Sequence, residues 1–282
     1  MQKAITVLIY THNEEKNIID CIMSAKLLSD NVILIDMESQ DKTTQIAKEH
    51  NVTVYNFPYS QYVEPARKFG IEQAKTNWVF ILDADERITE ELAKEITTTI
   101  TQFEIRNSKF EINNKFKINN LKLNKNYKLK IENSYYKISR KNIFAGKKWL
   151  KHGGWWPDQQ IRLINKRFFV DWPTQIHSTP IIKGDRGFLQ QPLLHFFHGD
   201  LETMVDKTIN FENIESDLLL KANKPVATIT FFRKFFGELF RRLIVKKGFM
   251  DGIIGIMESI YQAFSKTITY LLLYEKKNCR SL

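Results

Sequence analysis

The sequence predicts an α/β protein: a mainly parallel sheet with helices on both faces, followed by a C-terminal helical extension. Three observations lead there. In the first hundred residues short β-branched runs alternate with helical patterns, a polar loop follows each apolar run, and from residue 201 onward the pattern is helical throughout. At 282 residues, 43% hydrophobic and 26% charged, the chain has ordinary globular composition, which excludes disorder, collagen and a small disulfide scaffold.

Taken in order, residues 4–10 read as a buried strand and 14–25 as a helix capped by Asn13. Residues 31–36 form the second strand, and 43–49 a helix capped by Asp41. Residues 52–55 are a third strand, 66–74 a helix, 78–82 a fourth strand and 89–103 a helix. This βαβαβαβ order places ligands outside the carboxyl ends of the strands. Residues 104–134, dense in Asn, Lys and Ile without Pro or Gly, read as a basic, solvated insertion. A strand at 135–140, a Gly- and Trp-rich loop at 145–157 and a strand at 160–164 follow, then helices at 201–221, 225–246 and 249–274. The expected organisation is an α/β part at 1–103, the insertion at 104–134, a second structured part at 135–200 and a helical region at 201–282.

The net charge of +10 points to nucleic acid, an anionic membrane or a phosphorylated substrate. Its distribution is uneven. Residues 1–100 carry 10 basic and 16 acidic side chains, 101–150 carry 13 and 3, 151–220 carry 7 and 9, and 221–282 carry 12 and 4. The first third is therefore acidic, and the positive charge lies in the insertion and the C-terminal helices. Two cysteines, Cys21 and Cys279, make no metal-ligand spacing, and a reducing cytosol is the expected compartment. The N-terminus lacks signal-peptide features, and Asp251, Glu258 and Lys266 interrupt the most apolar stretch short of a membrane span.

The strongest local motif is Asp83-Ala84-Asp85-Glu86, directly after the fourth strand. Two carboxylates spaced by a small residue at a strand end can hold Mg²⁺ or Mn²⁺ and leave positions open for a diphosphate. Alone, the same residues also read as a solvated turn. Thr11-His12-Asn13-Glu14 after the first strand, with Asp36 at the end of the second, can bind ribose hydroxyls or simply start a helix. No glycine-rich phosphate loop follows the first strand, so neither a dinucleotide fold nor a P-loop is supported.

Together these sites resemble the nucleotide-sugar half of a GT-A (Rossmann-like) glycosyltransferase of family two. Further on, Arg140-Lys141-Asn142, the run from Lys151 through His152-Gly153-Gly154-Trp155-Trp156-Pro157 to Asp158, Arg162-Leu163, His177 and Leu193-Leu194-His195 resemble the bacterial subgroup that includes lipopolysaccharide core β-1,4-glucosyltransferases. The resemblance makes 1–103 the nucleotide-sugar-binding part and 135–200 the acceptor-binding part, and it implies that Thr11, Glu14 and Asp36 contact the nucleoside, with His12 where relatives usually carry an aromatic residue. It implies that Asp83 lies near the ribose and sugar and that Asp85 ligates Mn²⁺ or Mg²⁺ bridging the phosphates. It makes Asp158 the general base, and Arg162 and His177 stabilisers of the departing diphosphate, His177 directly or through the metal. Each has a plainer reading: Asp158 closes a turn, Arg162 lies on the solvent face of a strand, and His195 and His198 are structural. Trp155 and Trp156 stack on a sugar or pack against the sheet. The chain departs from the subgroup at Asp36-Met37-Glu38-Ser39-Gln40-Asp41, where relatives read D-S-G-S-T-D, and at Ser178, where they carry glutamate.

Phe231, Phe232, Phe235, Phe236, Leu239, Phe240 and Leu243 recur at helical spacing among Arg233, Lys234, Arg241, Arg242, Lys246 and Lys247. Such a helix either lies at a bilayer interface or packs on its own domain. The expected activity is a metal-dependent, inverting transfer of a hexose from a UDP-linked donor to a lipid-linked glycan, peripheral to the cytoplasmic face of the inner membrane, with no nucleic-acid partner. The competing readings are transfer to a polyprenyl phosphate or a protein, a sugar nucleotidyltransferase, and a nucleic-acid-binding module.

Overall fold

Side-chain alternation along the central strands divides the core into two halves, one on each face of a sheet. The computed structural model describes residues 5–118, 133–197 and 201–278. The first elements are β1 (Ile5–Thr11), α1 (Ile18–Leu28), β2 (Val32–Asp36), α2 (Thr43–Glu49), β3 (Thr53–Asn56) and α3 (Glu64–Gln73). Next come β4 (Trp78–Asp83), the two-residue β5 (Glu86–Arg87), α4 (Glu90–Ile118), β6 (Tyr135–Phe144), β7 (Lys148–Trp149) and β8 (Asp158–Asn165). The short strands β9 (Phe169–Asp171), β10 (Ile181–Ile182), β11 (Arg186–Phe188) and β12 (Leu193–Phe197) precede the helices α5 (Leu201–Lys221), α6 (Thr228–Phe240) and α7 (Gly252–Asn278).

The chain divides into two compact units, one formed by 1–139 with 159–194 and the other by 140–158 with 195–282. In the first unit, strands run β3-β2-β1-β4-β8-β6, with β3, β2, β1 and β4 mutually parallel and β8 antiparallel to β4. Val7, Ile9, Trp78, Phe80 and Leu82 enter one core with Ile18, Ile22 and Leu28 of α1 and Leu92 and Ile96 of α4. Leu8, Tyr10, Val79 and Ile81 enter the other with Ala66 and Ile71 of α3. The expected α/β fold with helices on both faces is thus observed. Gly70 is what lets α3 approach β1, because a side chain there would overlap the Tyr10 ring and hydroxyl.

Several boundaries differ from the sequence reading. α1 begins at Ile18 and not at residue 14, because Asn13 sits at φ +55° and spends its side chain elsewhere, accepting from the Gln40 amide at 2.7 Å. Asp41 does act at the start of α2, its Oδ1 accepting from the Thr43 amide at 2.9 Å. The stretch 104–118, expected as loop, continues α4; it contains no Pro or Gly to stop a helix. The remainder of the insertion at 119–132, with His198 and Cys279, lies outside the described residues.

In the second unit, α7 packs on α5 and α6, with Ser265 and Thr269 donating to Glu212 of α5, and Phe231 of α6 against Tyr274. The helix expected at 225–246 is shorter: α6 ends at Phe240, a π-helical turn occupies Arg241–Val245, and a 3₁₀ turn at Gly248–Asp251 leads into α7. The aromatic face read from the sequence is also split. Phe231 turns inward, while Phe232, Phe236 and Phe240 are exposed. Among the described residues no helix is long and apolar enough to cross a membrane.

Candidate active site

The parallel register aligns Thr11 of β1 with Asp36 of β2 and Tyr10 with Asp83 of β4, so both carboxylates reach the carboxyl edge on either side of β1. Asp36 is 2% exposed and accepts from Thr11 Oγ1 at 3.2 Å, the Ser39 amide at 2.9 Å and Ser39 Oγ at 2.6 Å. Thr11, equally buried, therefore works by orienting Asp36. The turn after β2 holds a left-handed residue, Glu38, at φ +59°. Asn13 donates its amide to Ser39 Oγ, Glu14 to Thr43 Oγ1 and Glu15 to Asp41 Oδ2, lacing the loops after β1 and β2 together. Burial opposes ionisation of Asp41, but hydrogen bonds from Thr43 and Glu15 outweigh it and hold its carboxyl below the usual range.

His12 Nδ1 donates to the Met37 carbonyl at 2.7 Å, which fixes the tautomer, and the ring lies 4.4 Å from Tyr59, centroid to centroid. Tyr59, 53% exposed in the loop after β3, extends the aromatic surface beside His12. Sequence reasoning missed it, although a loop tyrosine after a strand was a readable signal.

Asp83 is not a free carboxylate. Arg67 Nη2 donates to its Oδ1 at 2.6 Å and Arg162 Nη2 to its Oδ2 at 2.5 Å, while Arg162 also bonds Glu86, which is fully buried. Two guanidinium groups and two carboxylates thus close a neutral cluster at the end of β4. The solvent-face reading of Arg162 fails, since the residue is 5% exposed. Arg67, unread in the sequence, lies 4.5 Å above the Tyr10 ring. Nη1 of Arg67 and Nε of Arg162 are buried without a hydrogen-bond partner. Arg87 pins the turn from below, donating to the carbonyls of Ala84, Glu86 and Asn17.

Asp85, in the same turn, is half-buried. Among the described residues no group of three or more His, Cys, Asp or Glu side chains is arranged to hold a metal, so Asp85 and His177 belong to no complete protein cage. The donor set fits a divalent cation that draws most of its ligands from a bound diphosphate, as Mg²⁺ does with one or two carboxylates. His177 is exposed at φ +60°, its amide donating to Glu64 at the start of α3.

In the second unit, Asp158 opens β8 and does not close a turn. Its Oδ2 accepts from Arg140 Nε at 2.8 Å and Nη2 at 2.7 Å, and from Asn142 Nδ2 at 3.3 Å. Asn142 also bonds the Trp155 carbonyl and, through Oδ1, His195 Nδ1 at 2.6 Å. His195 is thus a structural residue that orients the amide facing Asp158. Trp155 stacks on Phe197 at 4.6 Å, and Trp156 packs edge-on to Trp149.

The loop leading to Asp158 is gripped from the helical region. Asp251, 6% exposed, accepts the amides of Lys151 and His152 at 2.9 and 2.7 Å and bonds His152 Nδ1 at 2.8 Å. The Gly153 amide donates to the Lys246 carbonyl, and Arg242 Nη1 to the Gly153 carbonyl at 3.1 Å. The sequence signalled Asp251 only as an interruption of an apolar run.

The profile of the family described as Glycosyl transferase family 2 matches residues 6–157, just over half of the chain. Proteins named uncharacterized glycosyltransferase from Rickettsia typhi and Rickettsia bellii are each 25% identical, over 97% and 98% of this chain and 87% of their own. Among solved structures, glucosyl-3-phosphoglycerate synthase from Mycobacterium tuberculosis, in complex with Mn²⁺, UDP and glucosyl-3-phosphoglycerate, is 24% identical over 29% of this chain and 33% of that one, with a TM-score of 0.27.

Proposed function

The chain belongs to glycosyl transferase family 2, and from that premise we propose that it is a metal-dependent, inverting glycosyltransferase. It moves a hexose from a UDP-linked donor to a lipid-linked saccharide, as in lipopolysaccharide core or cell-envelope glycan synthesis, at the cytoplasmic face of the inner membrane. The observation that carries the reading is the register that sets Asp36 and Asp83 on either side of β1 at the carboxyl edge, where open α/β sheets bind nucleotides.

In this reading Asp36, held by Thr11 and Ser39, meets the nucleoside together with Glu14, and His12 with Tyr59 offers the base an aromatic face. Asp83 lies against the ribose and sugar, and Arg162 serves the donor by holding that carboxylate in place. Asp85 and His177 are the residues assigned to Mn²⁺ or Mg²⁺, which when bound supplies positive charge to the diphosphate. Asp158 takes the proton of the acceptor hydroxyl as that oxygen bonds to the anomeric carbon. The bond from that carbon to the diphosphate oxygen breaks, and the electron pair leaves with the nucleoside diphosphate.

A panel of nucleotide sugars with Mn²⁺ or Mg²⁺, read by thermal shift and by nucleoside diphosphate release, tests this. A UDP-sugar should stabilise the protein, and Asp85→Ala should lose the metal-dependent part of that stabilisation. The reading fails if no donor stabilises the chain, or if Asp85→Ala binds and turns over donor as well as wild type.

A further inference from the structure

Between α6 and α7 the chain turns through a segment whose residues do two jobs. Arg242, Lys246 and Asp251 hold the loop at 151–153. Interleaved with them, Phe249 and Met250 are at least half-exposed, and so are Phe236 and Phe240 on α6 and Ile253 and Met257 on α7. From Gly252 to Ser265 the single charged side chain is Glu258, and it is buried. Six large apolar side chains exposed along one helix–turn–helix segment are more than single scattered ones, and such a concentration points to an interaction site.

Charge selects the occupant. Lys246 and Lys247 are exposed in the same turn, and Arg241, paired with Glu238, is exposed as well. The two acidic side chains of the segment, Glu238 and Asp251, are already committed, to Arg241 with Arg242 and to His152 respectively. In a two-fold contact with a second copy this cationic surface would face itself. An anionic lipid leaflet instead complements it, the cations at the headgroups and the aromatic and aliphatic side chains in the acyl boundary.

We propose that the turn between α6 and α7, with its exposed Phe240, Phe249, Met250 and Ile253, docks on an anionic bilayer, and that docking sets the loop running from Lys151 to Asp158 through Asp251 and Arg242. This deepens the membrane side of the proposed function and rests on it for the role of Asp158. The same turn holds the loop at 151–153.

The test is flotation of the full-length chain with vesicles of phosphatidylcholine, with and without phosphatidylglycerol, alongside hydrogen exchange of residues 151–158. Wild type should float with the anionic vesicles, and Phe249→Ser with Met250→Ser should reduce flotation about tenfold or more at unchanged circular dichroism. Exchange at 151–158 should slow when anionic vesicles are added to wild type and stay constant in the double variant. Absent flotation, or equal flotation of the variant, overturns the docking surface. So does a dimer in solution that the double variant dissociates and that does not float, which would assign the face to a second copy. Flotation with unchanged exchange overturns the link to the loop. Neither readout needs a donor, so failure here is separable from failure of the transfer reading.

Discussion

One nitrogen of Arg162, Nη2, lies 2.5 Å from both Asp83 Oδ2 and Glu86 Oε1. The D-x-D turn is therefore built on a buried ion cluster, with Arg67 completing it on the other oxygen of Asp83. Glu86 is fully buried and also accepts the Asp83 amide at 3.0 Å, so it ties the strand end to the turn that follows.

Removing Arg162 takes the guanidinium at 2.5 Å away from that buried carboxylate. Arg162→Met is expected to lower the free energy of unfolding by about 3–5 kcal/mol, the usual cost of breaking one side of a buried pair. Urea unfolding measures it, and a loss under about 1 kcal/mol would show that the cluster does not support the turn.

Asp158→Asn should keep the fold and the donor-induced thermal shift, because Arg140 and Asn142 still find an oxygen to bond. Transfer to acceptor should fall by about 100-fold or more, the range for loss of a general base. Unchanged transfer would remove Asp158 from the chemistry.

Glu258 is buried, with one carboxyl oxygen lacking a hydrogen-bond partner. Burial pushes its pKa from 4.5 up to about 7, against a bond from Gln262 and the charge of Arg242. The folded state then holds this proton more tightly than the unfolded state, so native stability is lost as pH rises from 4.5 through about 7. Glu258→Gln should unfold like wild type at the acid end of that window and be more stable above it, by on the order of 2 kcal/mol. Parallel melting curves across the window, with a constant difference, would contradict this.

Glu38 keeps a left-handed backbone, a conformation that costs a side-chain-bearing residue about 1–2 kcal/mol. Glycine recovers part of this and gives some back in unfolded-chain entropy. Glu38→Gly should therefore stabilise the protein by about 0.5–1 kcal/mol, seen as a higher melting temperature, whereas Glu38→Ala should give no such gain.

Much of the first unit was legible because its signals are local. The runs at 5–11, 32–36 and 78–83 are β-branched and apolar, and their order alone implies a parallel sheet with its ligand edge at Thr11, Asp36 and Asp83. Less legible were features set by distant partners. Arg67 and Arg162 are far apart in the chain, and only folding brings both onto Asp83. Asn13 looked like a helix cap because the residue type suits one; a bond to Gln40, in a different loop, decided otherwise. The first half of the basic insertion reads as loop on composition, yet it lacks any Pro or Gly and simply extends α4. The pairing of Asn142 with His195 was invisible for the same reason as the arginine cluster, since neither residue signals its partner along the chain.

The grip of Asp251 on residues 151 and 152 has a practical consequence for dissecting this protein. A chain ended after Lys221 looks like a clean way to strip α6 and α7, with their exposed apolar side chains, from the rest of the protein. It would also remove the acceptor for the Lys151 and His152 amides, the anchor of the Gly153 carbonyl and the partner of the His152 ring. A defect in the truncate would then report a disturbed loop at 151–158 as readily as loss of the exposed apolar face. Point changes on the exposed face separate the two, and deletion does not.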